Sequence, residues 1–255
     1  YWIQQKNLSS KQNINIFSTN TVVFFLKIRH KQKKLIYLAP LVSIAIAFVL
    51  MGGYYIQKSA YNWWYTLILP GSFTMICSFI ISNDRKRKFN GLFSVIVDKQ
   101  KIWYSKIIIS TMYLGLSCLV FFVVITIMGF IFETAIQVQN SLLASTILFI
   151  TFSWQIPVLM YLTMKFSTGF TIIISILCNF LGGILLALTP IWWIPFAIPS
   201  KLMCYVIRVM PNGLSVEAGA YPFDIKVILI GVLVTITLYI VTSYLTAKWF
   251  EKQEV

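Results

Sequence analysis

Six long apolar stretches, separated by polar connections, dominate the pattern of this chain. They run over Leu35–Ile56, Trp63–Ser82, Ile107–Phe132, Leu142–Met164, Phe170–Leu188 and Val227–Ala247. A helix needs about 20 residues, at about 1.5 Å rise each, to cross the roughly 30 Å hydrocarbon core of a bilayer. Because nearly every stretch reaches that length, the pattern predicts an all-α integral membrane protein with six transmembrane helices.

Composition agrees with a membrane class and narrows the possible functions. Only 11% of the 255 residues are charged, whereas a soluble domain carries about 25%. The six stretches contain no Asp, Glu, Lys, Arg or His, so neither a proton relay nor an ion path is indicated. An intramembrane protease or lipid-modifying enzyme would need paired acids, a Ser–His pair or metal ligands near the spans. With His30 as the single histidine, we expect no catalytic, cofactor-binding or metal-binding residues.

The positive charge, +14 in total, is distributed unevenly between the connections. Of the 21 Lys and Arg residues, 17 lie in the N-terminal segment, the second and fourth connections and the C-terminal tail. The other four are Lys58, Lys201, Arg208 and Lys226. Lys and Arg in short loops stay on the cytoplasmic side, so both termini are predicted to be cytoplasmic. Nucleic-acid binding is not expected, because no soluble basic face interleaved with aromatics is visible.

The connection between the second and third stretches carries an apolar periodicity. Phe89, Leu92, Phe93 and Ile96 recur at spacings of three and four, which predicts a short amphipathic helix. One interpretation is a helix that lies on the membrane surface, with its Lys and Arg on anionic head groups. The other is a coupling helix whose apolar side chains project into a groove on a soluble partner.

The connection from Pro190 to Lys226 is too long for a simple turn. It begins with Trp192 and Trp193, which fit an interfacial aromatic belt but could also line a functional surface. Further along, Ser200 could cap a helix over Lys201–Met210, ended by the turn Pro211-Asn212-Gly213. On such a helix Lys201 and Arg208 would share one face, directed toward lipid phosphates or water.

This layout resembles the type-2 ABC exporter permeases. The shared features are a basic N-terminal interface helix, six spans, a cytoplasmic coupling helix that leads to Lys106, and an extracellular helical insertion before the last span. Within that group the chain is most similar to the permeases of lantibiotic self-immunity transporters. The similarity lies in Lys34-Leu35-Ile36-Tyr37-Leu38-Ala39-Pro40-Leu41 and in Trp193-Ile194-Pro195-Phe196-Ala197-Ile198-Pro199-Ser200-Lys201-Leu202-Met203. It covers most of residues 24–250, which we treat as part of one permease domain over residues 21–255, after a flexible segment of residues 1–20.

The resemblance implies a bacterial plasma-membrane permease that expels a cationic lantibiotic-like peptide. It implies a separate ATP-binding subunit that carries ATP and Mg²⁺, since the chain has no G-x-x-x-x-G-K-[ST] motif, and an identical or sister permease. Phe89, Leu92, Phe93 and Ile96 would couple to the ATPase, and Trp192, Trp193 and Met203 would form the extracellular gate. The alternatives are export of another lipophilic substrate, or a non-transporting scaffold or channel in contact with membrane lipids.

Overall fold

The computed structural model describes residues 30–53, 55–86, 98–132, 135–217 and 219–253. Within these ranges the structure is helical, without strands, apart from one isolated bridge between Val209 and Ser215. The α-helices are α1 (His30–Met51), α2 (Ile56–Trp63), α3 (Leu69–Lys86), α4 (Lys99–Phe132), α5 (Val138–Ser153), α6 (Gln155–Lys165), α7 (Thr168–Leu181), α8 (Ile198–Val206) and α9 (Ile225–Glu251). Short π-helical turns, Trp64–Ile68 and Gly182–Leu186, follow α2 and α7. The prediction of an all-α fold is confirmed for the described residues.

Five helical segments in the described part of the chain are long and apolar enough to cross a membrane. They are Lys34–Met51, Ile56–Ile81, Lys99–Phe132, Thr168–Leu186 and Ile225–Glu251. The consecutive helices α5 and α6, bent by 41° at their junction, make a sixth if the pair is one broken span. The predicted number of six is therefore reached only when this bent pair counts once.

The break between the first two helical segments lies at a different place from the predicted one. The first stretch was expected to continue to Ile56, but α1 ends at Met51 and Gly52 follows with φ +69°. A glycine in this left-handed conformation is a common helix end, and the Gly52 amide donates to the Phe48 carbonyl at 3.0 Å. The second helical segment consequently starts at Ile56, seven residues before the predicted Trp63.

The break between α5 and α6 was not predicted, although its cause is visible in the sequence. Pro157 lies in the first turn of α6. Proline has no amide hydrogen and its ring clashes with the carbonyl four residues earlier, here that of Ser153, where α5 ends. The Trp154 carbonyl next to the break accepts a hydrogen bond of 3.4 Å from the Thr242 hydroxyl of α9. The bend is thus supported by the last span.

The bundle has two chemically different ends. At one end, Lys99 Nζ donates to the Gln253 carbonyl at 2.8 Å and Gln100 Nε2 donates to Glu251 Oε2 at 2.7 Å. We call this the lysine-rich end; it also includes Lys165 at the end of α6. At the other end, the Tyr61 hydroxyl of α2 donates to the Ser141 carbonyl of α5 at 2.9 Å. This is the insertion end, because the segment between α7 and α9 folds there.

Candidate functional site

The short helix α8 is buried inside the insertion end. Eight of its nine residues are buried, and the ninth, Tyr205, is half-buried. It begins after Ala197, with Pro199 in its first turn, and ends at Val206. The predicted helix over Lys201–Met210 with Ser200 as its cap is therefore wrong, because proline initiates the helix instead and places Ser200 inside it.

Glycines on two neighbouring helices make room for α8 and the turn before it. A β-carbon added to Gly182 would lie 2.7 Å from Phe196 Cβ, and one added to Gly183 would lie 2.5 Å from Ser200 Oγ. A β-carbon on Gly231 of α9 would lie 3.0 Å from Ile198 Cγ2. Since real β-carbons do not approach other atoms below about 3 Å, Gly182 cannot be replaced without moving the insertion, whereas replacing Gly183 requires at least that the Ser200 hydroxyl rotate away. We call Gly182, Gly183 and Gly231 the glycine seat.

The three residues expected to form the gate are not brought together on one surface. Trp193 is 56% exposed and Trp192 is half-buried, within a series of turns closed by bonds such as Ala197 N to the Ile194 carbonyl at 2.8 Å. Met203, in contrast, is completely buried in the core. Of these three residues, only the two tryptophans are accessible.

An apolar cavity lies beside the turns that carry the tryptophans. Its volume is about 270 Å³, and the residues that line it come from α7, the π turn and the inserted segment: Leu177, Cys178, Leu181, Gly182, Leu186, Ile194 and Phe196. Phe196 also contacts Trp154 at the α5–α6 break, with ring centroids 5.0 Å apart in an edge-on arrangement. The inserted segment therefore connects the glycine seat with the bent helix pair.

The coupling residues predicted from the sequence, Phe89, Leu92, Phe93 and Ile96, lie outside the described residues. The same holds for the N-terminal segment of residues 1–20.

A polar pair in the bundle interior was missed by sequence reasoning. Gln155 and Asn179 exchange two amide hydrogen bonds, each 2.9 Å long, and both side chains are buried. Asn179 also donates to the Ser175 carbonyl at 2.8 Å. The signal of this pair in the sequence is a Gln and an Asn within stretches that contain no Asp, Glu, Lys, Arg or His. It joins α6 to α7 directly after the α5–α6 break.

Side chains of α2 hold the loops of the insertion end. Gln57 accepts hydrogen bonds at Oε1 from the amides of Ala135 and Ile136, at 2.8 and 2.9 Å. Asn62 Nδ2 donates to the Pro211 carbonyl at 3.0 Å, and Lys58 Nζ donates to Ser215 Oγ at 2.9 Å. These bonds fix the connection before α5 and the one before α9 to the same helix.

The predicted turn at Pro211-Asn212-Gly213 is confirmed, but the chain around it is arranged differently from the expectation. The Gly213 amide donates to the Met210 carbonyl at 2.8 Å, and Gly213 has φ +85°. Arg208 follows the end of α8 with φ +55°, and its Nη2 donates to the Glu217 carbonyl at 2.9 Å. A shared helix face for Lys201 and Arg208 is therefore wrong, because α8 ends before Arg208.

The described residues contain no group of three His, Cys, Asp or Glu side chains that could hold a metal ion. No family model, curated protein or solved structure matches the chain. The candidate site is consequently defined by its own geometry: a buried helix on a glycine seat, a pair of accessible tryptophans, and a proline-broken helix beside them.

Proposed function

We propose that this chain is the membrane-spanning permease subunit of an ATP-driven ABC transporter, and that it removes a lantibiotic-like cationic peptide from the membrane. The observation that carries the proposal is the buried insertion between the last two long apolar helices, in a bundle of five or six such helices. This arrangement is the one implied by the resemblance to type-2 exporter permeases. ATP hydrolysis belongs to a separate subunit in this account.

The insertion acts as the gate on the extracellular side. A gate needs an element that docks closely yet can separate, and α8 itself docks mainly through apolar contacts on the glycine seat. Both π-helical turns contact α8, and such turns occur frequently at functional sites in helices. Movement of the α5–α6 pair would reach the gate through the contact between Trp154 and Phe196.

The peptide enters laterally from the outer leaflet. The connections assigned to this side carry Lys58, Lys201, Arg208 and Lys226 against Glu133, Glu217 and Asp224, a net charge of only +1. Long-range capture of a cationic peptide would need a sizeable opposite field, and charges are screened over about 8 Å at physiological salt. Apolar and aromatic contacts therefore contribute more than charge, and the exposed face of Trp193 beside the apolar cavity provides them.

A resistance measurement in a sensitive bacterium tests this function. We expect the chain, expressed with its ATP-binding subunit and sister permease, to raise the inhibitory concentration of a lantibiotic. Replacing Trp192 and Trp193 together by Ala should remove most of that protection, because it removes the accessible aromatic surface.

The matched control neutralises the two described acids of the same end, Glu217→Gln with Asp224→Asn, and should leave most of the protection. Loss of protection in this control but not in the tryptophan variant would contradict lateral capture and point to an anionic receptor site. If no lantibiotic is resisted by the parent, the peptide assignment fails; export of another lipophilic substrate, or a scaffold or channel role, would take its place.

A further inference from the structure

Lys201 occupies an unusual position for a lysine. Its side chain is only 7% exposed, and its ammonium lies 4.6 Å from the ring centroid of Tyr221 and 5.8 Å from that of Tyr205. The two rings are arranged edge-on, with centroids 5.5 Å apart. Within the described part of the chain, these rings and the nearby Cys204 thiol interact with it electrostatically, and no carboxylate pairs with it.

Neither of the acids described at this end, Asp224 and Glu217, forms an ion pair with Lys201, although Asp224 lies close enough to Tyr205 to act on it electrostatically. Asp224 Oδ1 accepts from the Lys226 amide at 2.8 Å and so caps α9. Glu217 presents its backbone carbonyl to Arg208. Burying most of a lysine side chain without a paired anion is costly, and the two tyrosine rings offset only part of that cost. Burial accordingly lowers the pKa of Lys201 below its usual value.

The residues around Lys201 are of the types that are common at a membrane–water interface. Tyr221 lies four residues before the first residue of α9. Near the start of that helix, Phe223 and Ile225 are each 61% exposed, and Lys226 is also exposed. Tyrosine and lysine side chains characteristically lie at the level of lipid head groups while neighbouring apolar side chains enter the hydrocarbon. The group that meets a lysine at this depth is a lipid phosphate.

We propose that Lys201, between Tyr205 and Tyr221, binds the phosphate group of a membrane phospholipid and so fixes α8 at the interface. The anion would complete the charge pairing that the described residues leave open, and the rings would keep water from the ion pair. This site does not depend on the transport function, since a lipid could stabilise the insertion in a scaffold equally well.

Lipid binding to the full-length chain in detergent tests the proposal. The probe is dioctanoyl phosphatidylglycerol, and the readout is the rise of the thermal unfolding midpoint with lipid concentration. Dioctanoylglycerol, which lacks the phosphate, and inorganic phosphate are the two comparison ligands. We expect the phospholipid to raise the midpoint at a concentration at least five-fold lower than either of them.

Four variants distinguish phospholipid binding at Lys201 from a general attraction of an anionic lipid to a basic protein. Lys201→Gln should weaken the phospholipid effect at least five-fold, Lys201→Arg should keep it within two-fold, and the control Lys252→Gln, exposed at the lysine-rich end, should keep it unchanged. If Lys201→Gln does not fold, Tyr221→Asn serves instead, because asparagine tolerates the φ of +50° at this position while removing the ring; it should weaken the effect at least three-fold.

An equal phospholipid effect in the parent and in Lys201→Gln would overturn the proposal. So would a diacylglycerol effect as strong as that of the phospholipid, since that result would assign the binding to acyl chains. A response to inorganic phosphate as strong as to the phospholipid, lost in Lys201→Gln, would overturn the lipid source and assign the site to a free anion.

Discussion

Replacing Gly182 by alanine tests whether the inserted segment docks as closely as described. The new β-carbon would lie 2.7 Å from Phe196 Cβ, 3.4 Å from the Phe196 carbonyl carbon and 3.6 Å from its Cα. Carbon atoms prefer separations of about 3.5–4.0 Å. Phe196 Cβ cannot rotate away, because it is fixed to the backbone. The turn before α8 must therefore move by about 1 Å, if the contact is to reach that separation.

The expected cost follows from the size of this overlap. Overpacking a close-packed interior costs about 1–3 kcal/mol. Alanine regains about 0.5–1 kcal/mol over glycine in a helix, so we expect a net loss of about 1–2 kcal/mol. Gly183→Ala should cost less, since its closest contact is the Ser200 hydroxyl, which can rotate and leaves Ser200 Cβ at 3.5 Å. Gly169→Ala, with no atom within 4 Å, is the control without overlap and should show only the gain of alanine over glycine.

Equilibrium unfolding in mixed detergent micelles measures these differences in the free energy of unfolding. Variants of Phe196 provide a second and more specific test. In a Phe196→Gly background, Gly182→Ala should cost almost nothing, because the opposing β-carbon is gone. In a Phe196→Ala background it should cost as much as in the parent. Equal effects of Gly182→Ala and Gly169→Ala in the parent, or equal effects in the two Phe196 backgrounds, would refute the close docking.

Two further predictions concern orientation and the interior. In intact cells, a membrane-impermeant thiol reagent should label a cysteine introduced at exposed Ser215 and should not label one introduced at exposed Lys165. The reverse labelling pattern would overturn the orientation that was derived from the basic residues. Replacing either Gln155 or Asn179 by Leu should destabilise the fold by about 1–3 kcal/mol, because the remaining buried amide loses its partner. The double variant should recover part of this loss. Strictly additive costs in an unfolding measurement would contradict the mutual hydrogen bonds.

The helical class of the fold was predictable because apolar length is a strong signal in membrane proteins. Helix ends were less predictable. The third stretch was expected from Ile107, but α4 begins at Lys99 and includes the fully buried Lys106. A lysine inside a helix does not end it, so the polar residues that mark the end of an apolar stretch do not mark the end of the helix.

The insertion was predictable as an element but not in its detail. The helix and the Pro-Asn-Gly turn carry local signals, whereas the burial of α8 depends on how closely other spans approach. The adjacent Gly182 and Gly183 are the signal that was overlooked, since small residues allow close helix packing in membranes. Met203 could not be assigned to the interior from its sequence, because apolar residues on a predicted surface helix and on a buried one look alike.

Copurification of an ATPase is the decisive test of the proposed transporter role. We expect the tagged chain, isolated from membranes in mild detergent, to retain an ATP-binding subunit and to hydrolyse Mg-ATP. Replacing Phe89 and Phe93 by Asp should abolish this association, because docking would bury charge without a partner at a cost of several kcal/mol. The matched control places Asp at Leu214, which is 61% exposed at the opposite end, and should retain the ATPase. A chain that purifies without any ATP-binding subunit would contradict the account, and one whose Phe89/Phe93 variant binds the subunit undiminished would contradict the assigned coupling helix.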